Sequence, residues 1–164
     1  MKTITTITRA FIVFVWLCAL TYAVHAQTTP LYCRPTTVEA LRTIWAESGN
    51  GVTGVEATFI MSGTDDDYTI EQMQMTGEKD KQTVHIYTNT FALFHIHPNN
   101  SSPWLSTPAN NYVGNGMGDT GWADRDHFDI YAASQRGLTV YYWRTKKMTM
   151  LRTGLSWAST KNCK

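Results

Sequence analysis

Residues 91–100 read FALFHIHPNN, an apolar run that ends in two histidines and a proline. Side chains in a strand alternate between faces, so His95 and His97 point the same way. Neutral imidazole is the commonest metal ligand, and one ion can take a nitrogen from each ring. Pro98 has no N–H to give to a ladder, so the strand stops there and opens into a loop. On its own this pattern also suits buried histidines satisfied by hydrogen bonds. The polar stretch that follows adds weight to the metal reading.

Upstream, Thr83–Tyr87 reads as another strand, split from Phe91–His97 by Thr88-Asn89-Thr90. Gly77–Lys81 is a charged turn. Tyr68–Met75 and Val55–Met61 read as a strand pair around Gly63 and Asp65–Asp67. Three aspartates at a hairpin tip are read as solvated surface rather than a cation site. Before them, Pro35 ends the extended lead-in of Gln27–Arg34. Thr36 and Glu39 then have capping-box spacing for a helix with Val38, Leu41 and Trp45 on its buried face. Ser48–Gly51 stops that helix. Downstream, Asn99–Gly121 is a long loop rich in Asn, Ser, Pro and Gly, and loops of this length in compact domains are commonly functional. Trp122–Phe128 reads as a short helix. Asp129–Ala133, Leu138–Trp143 and Lys146–Arg152 read as strands, and Trp157 as a cover for the core. The expected architecture is α+β, with a mixed central sheet and a packed N-terminal helix.

The first 26 residues stand apart. Lys2 and Arg9 precede the apolar run Ala10–Leu20, and Val24-His25-Ala26 has the small-residue pattern of a cleavage site. This is the pattern of a secretory signal peptide. Trp16 and Leu17 before Cys18 argue against a lipoprotein signal. Taking 26 from 164 residues leaves 138, one domain over 27–164. Without Lys2 and Arg9, 12 basic residues face 13 acidic ones, a net charge of −1. No basic stripe points to nucleic acid, and no later stretch is apolar for long enough to span a bilayer. The expected location is secreted or periplasmic. In such an oxidising compartment Cys33 and Cys163 pair if the fold brings their Cα atoms within about 7 Å; otherwise they are two unrelated thiols. Cys33 has no histidine close in sequence, and no Gly-x-Ser-x-Gly elbow, phosphate loop or dinucleotide fingerprint occurs.

HIHP, preceded by FALF and followed by NNSSPWLSTP, resembles the metal-binding signature of the JAB/MPN (JAMM) metalloprotease superfamily. That signature joins an upstream glutamate, His-x-His-Pro, and a serine and an aspartate in the next loop. The resemblance covers about Val38 to Trp143 and implies a cytidine-deaminase-like fold. It implies zinc held by His95, His97 and an aspartate, with water as the fourth ligand. By the same resemblance Glu56, at the head of the first strand, takes a proton from that water; Glu47, at a helix end, is the runner-up.

This chain departs from the pattern at the acidic ligand. The eighth and eleventh positions after His97 hold Leu105 and Pro108. Ser106 comes one residue late, and three further on stands Ala109, which cannot bind metal. Asn110 is a poor substitute because its amide is neutral. Asp119 is the first acid after His97 and becomes the expected ligand, with Asp124 second and no acidic ligand as the third option. His85 or His127 could replace the acid. Ser106 is the expected oxyanion donor, with Ser102 and Thr107 close by. The implied activity is hydrolysis of an amide or isopeptide bond in a peptide or cell-wall compound. The alternative is a non-catalytic scaffold that binds a protein partner, which the displaced aspartate favours.

Overall fold

The computed structural model describes residues 29–77, 82–99, 101–110 and 116–163. The signal-peptide reading of residues 1–26 lies outside them, as do residues 78–81 of the charged turn and residues 100 and 111–115 of the long loop. A 3-10 turn at Leu31–Cys33 interrupts the lead-in that the sequence suggested was extended. Helix α1 follows at Pro35–Glu47. Pro35 takes the first helical position, where its fixed φ and missing N–H cost nothing, so Arg34 is the N-cap and no side chain caps the helix. The expected capping box is absent: Thr36 Oγ1 lies 2.9 Å from the Tyr68 hydroxyl, and Glu39 pairs with Arg42 instead.

The strands are β1 (Thr58–Gly63), β2 (Tyr68–Gln72), β3 (Thr90–Ile96), β4 (Asp129–Ser134), β5 (Gly137–Tyr142) and β6 (Lys147–Thr153). They form one sheet in the order β2-β1-β3-β4-β5-β6. The β3–β4 pair is parallel and the other pairs are antiparallel, so the architecture is α+β with a mixed sheet. A parallel pair needs a crossover, which helix α2 (Gly118–Asp126) supplies. This helix begins four residues before the expected start at Trp122. It ends on His127, whose left-handed φ of 64° lets its N–H reach the Ala123 carbonyl. The apolar run of β3 is buried along most of its length, as a central strand covered on both faces requires. The edge strands β2 and β6 are polar and half-exposed.

One correction concerns Thr83–Tyr87. Its alternation is that of a strand, but it pairs with none among the described residues. Both sides of β1 and of β3 are already taken, so no ladder is open to it there. Val84 and Ile86 pack on the core instead.

Two cores sandwich the sheet. On one face Phe59, Phe94 and Tyr131 stack at 4.7 and 4.1 Å under Leu41 and Ile44 of α1. Trp157 closes that face, edge-on to Trp45 at 5.5 Å, and its indole N–H donates to the Ser134 carbonyl. On the other face Ile60, Leu93, Ile130 and Ala132 meet Ala123 of α2, Phe128 and Leu105. No described helix is long and apolar enough to cross a membrane.

Cys33 and Cys163 form a disulfide with Cα atoms 5.6 Å apart, joining the two ends of the domain across 130 residues. Closing so long a loop restricts the unfolded chain strongly, and loss of such a bridge typically costs about 2–5 kcal/mol. The Cys33→Ser/Cys163→Ser variant is therefore expected to unfold at clearly lower urea than the oxidised protein. Coincident urea transitions would show that the bridge adds no stability.

Candidate metal centre

The site forms where β3 leaves the sheet. Thr58 of β1 faces His95 in the antiparallel register, and the Ile96 N–H donates to the Ala57 carbonyl beyond it. Glu56 lies two residues before β1, and its charge acts on the His97 ring. Parallel pairing places Ala132 of β4 beside His95, and the His97 N–H donates to the Ala133 carbonyl. Helix α2 crosses above these strand ends, and its first turn carries Asp119.

His95, His97 and Asp119 offer ligand atoms that lie within 4.8 Å of one another. His95 Nε2 stands 3.7 Å from Asp119 Oδ1, and His97 Nε2 stands 3.7 Å from Oδ2. The two rings are 4.7 Å apart between centroids. Zinc bonds of about 2.0–2.1 Å space tetrahedral ligands by roughly 3.3 Å, so a small contraction closes the set around one ion. Both imidazoles are buried, while the Asp119 side chain keeps 24% of its surface exposed. The site is thus open on the carboxylate side.

Two features test whether a metal fits. Both ring nitrogens of His95 are buried and have no hydrogen-bond partner among the described residues. Leaving a buried polar atom unpaired costs about 1–3 kcal/mol, which an ion on Nε2 removes for that nitrogen. His97 Nδ1 lies 2.9 Å from the Ser102 carbonyl. A carbonyl only accepts, so Nδ1 carries the hydrogen and Nε2 turns its lone pair to the shared point, the usual outer support of a ligating histidine.

The electrostatics agree. Burial pushes the His95 ring down to about 4, with the Asp119 charge opposing and His97 adding to the fall. The Tyr131 backbone also favours protonation, without meeting hydrogen-bond geometry. Burial acts on His97 in the same direction, but there the Asp119 carboxylate 3.7 Å away, the Ser102 carbonyl and the Glu56 charge outweigh it and raise the ring. Burial alone would raise Asp119, yet the two imidazoles and the Ser106 amide hold it well below the usual carboxylate range. At neutral pH His95 is a neutral imidazole and Asp119 a carboxylate anion.

The other sequence candidates lie elsewhere. Asp124 accepts from the Tyr141 hydroxyl at 2.9 Å and from Lys146 Nζ at 2.7 Å. Asn110 accepts from the amide and hydroxyl of Thr107 within the loop. His127 is exposed against the Trp143 ring, and His85 is exposed. Glu47 is exposed and hydrogen-bonded to Gln72. Asp65 pairs with Arg34, and the aspartate run is exposed. Ser106 sits against Asp119, and its hydroxyl donates to Oδ2 at 2.8 Å.

Sequence reading missed the Ser102 carbonyl as partner of His97. It also missed Thr139, whose hydroxyl donates to the Pro103 carbonyl at 2.9 Å and ties the loop to β5. Neither contact has a sequence signal, because a main-chain oxygen is present at every residue. Comparison with family models, curated proteins and solved structures gives no match to this chain.

Proposed function

We propose that this chain is an exported zinc hydrolase of JAB/MPN type that cleaves an amide or isopeptide bond. The observation that carries the reading is the buried His95–His97–Asp119 group with the unpartnered His95 Nε2 at its centre. Further support comes from the order of parts: glutamate two residues before β1, which starts at Thr58 rather than at the expected Val55, His-x-His-Pro at the end of β3, then serine and aspartate before and at the start of α2. That is the order in the resembled family, whose fold is cytidine-deaminase-like. The disulfide suits an oxidising compartment outside the cytoplasm, as does the N-terminal leader.

A zinc ion in this place supplies a Lewis acid for a carbonyl and an acidified water as nucleophile. His95 and His97 hold it through Nε2, and Asp119 adds the negative charge. Glu56 is half-buried, and its charge acts on the His97 ring. It is the base that accepts a proton from the attacking water and returns it to the leaving amine. The substrate class is a peptide, an isopeptide or a cell-wall amide. The scaffold reading rested on the displaced aspartate; Asp119 reaches both histidines across the longer loop, so that feature no longer favours it.

A panel of peptide, isopeptide and cell-wall amide compounds tests the proposal. Turnover by the purified mature protein is expected to stop on chelation and to return with about one equivalent of zinc. Turnover that survives complete removal of metal would refute the mechanism. Zinc-loaded protein inert on the whole panel would move the assignment to a binding module.

A further inference from the structure

Ser106 occupies the place from which the resembled signature draws its oxyanion donor, but its hydroxyl already has two partners. It donates to Asp119 Oδ2 at 2.8 Å and accepts from the Asp119 N–H at 2.9 Å. The Ser106 amide also donates to Oδ2, at 2.7 Å. The Thr120 N–H closes the neck on the Ser106 carbonyl at 3.0 Å. Four hydrogen bonds thus join two points 13 residues apart along the chain.

This arrangement saturates one oxygen of the carboxylate. Oδ2 takes two donors from Ser106, while no described residue donates to Oδ1, the oxygen nearer His95. We infer that Ser106 is a positioning residue: it clamps Asp119 across the loop neck and leaves Oδ1 as the atom open to the ion. The inference rests on the metal reading above and changes the role of Ser106 within it. A hydroxyl donating to a carboxylate has no hydrogen left for an oxyanion. Its function is to place the third ligand, which sequence spacing alone leaves displaced.

Zinc titration of the full mature protein against a competing chelator tests this. Ser106→Ala is expected to lower zinc affinity about 10–100-fold, the range for loss of an outer partner of a ligand. Ser106→Thr keeps the hydroxyl and is expected to recover most of the affinity. Asn110→Ala removes a bond inside the loop that does not touch Asp119 and is expected to leave affinity unchanged. Ser106 is half-buried and outside both core clusters, so Ser106→Ala is expected to keep the wild-type circular dichroism. Equal affinity in wild type and Ser106→Ala would overturn the positioning role alone. So would an equal fall in Asn110→Ala, which would attribute the effect to general loop order. Wild-type protein that takes up no zinc would overturn this role together with the metal reading.

Discussion

His95→Ala and His97→Ala are each expected to lose stoichiometric zinc, with affinity falling by more than about 100-fold, beyond the range for an outer partner. The wild-type protein is expected to hold close to one equivalent. The three candidate ligands, two at the end of β3 and one on α2, lie around a single point, and two of them cannot hold an ion as three do. The two variants should differ in fold stability. His95 lies in the buried run of β3 with both ring nitrogens unpartnered, so alanine there removes an unsatisfied group but leaves a cavity. His97 lies one residue past the end of β3, and its loss frees the Ser102 carbonyl from its bond. Acid should weaken zinc uptake in the wild type, because a proton competes for His97, whose ring is raised by Asp119 once the larger opposing effect of burial is overcome. Elemental analysis with zinc titration from pH 8 to pH 5 checks the zinc predictions, and urea unfolding of both variants checks the stability difference. Undiminished zinc content in either alanine variant would remove that histidine from the site.

Glu56→Gln is expected to keep zinc and the fold while turnover drops about 10²–10⁴-fold, the usual range for loss of a general base. The motive is the place of Glu56 two residues before β1 and the pull of its charge on the His97 ring. Glutamine has nearly the same shape but cannot take a proton. Its zinc affinity should stay close to wild type because Glu56 is not a ligand. Separate measurement of zinc affinity and of kcat on the best amide substrate decides the matter. An unchanged kcat would exclude Glu56 as the base, and a joint loss of zinc and turnover would make it a ligand instead.

Much of the frame was legible in the residues. The apolar run Phe91–Phe94, resumed at Ile96 after His95, marks a strand, and Pro98 ends it for a covalent reason. The two-residue spacing of His95 and His97 places both rings on one face whatever surrounds them, because strand period is local geometry. Polar alternation at Tyr68–Gln72 and Lys147–Thr153 likewise marks edge strands.

Other features depended on which elements meet. Thr83–Tyr87 has the pattern of a strand, but a strand exists only with a partner, and among the described residues it has none although the outer edge of β2 is open. Cys33 and Cys163 pair because the fold sets their Cα atoms 5.6 Å apart, a distance that no spacing along 130 residues encodes. Asp119 reaches the histidines because parallel β3 and β4 end side by side and the crossover helix must begin above those ends. The choice of Ser106 as its clamp depends on a loop neck only the folded chain creates. Sequence therefore determined the local periodicities, the turn chemistry and the shared face of His95 and His97. That Asp119 meets both rings, and that Ser106 binds it, was decided by tertiary structure, since hydrogen bonds act through space at a few ångströms and are indifferent to separation along the chain.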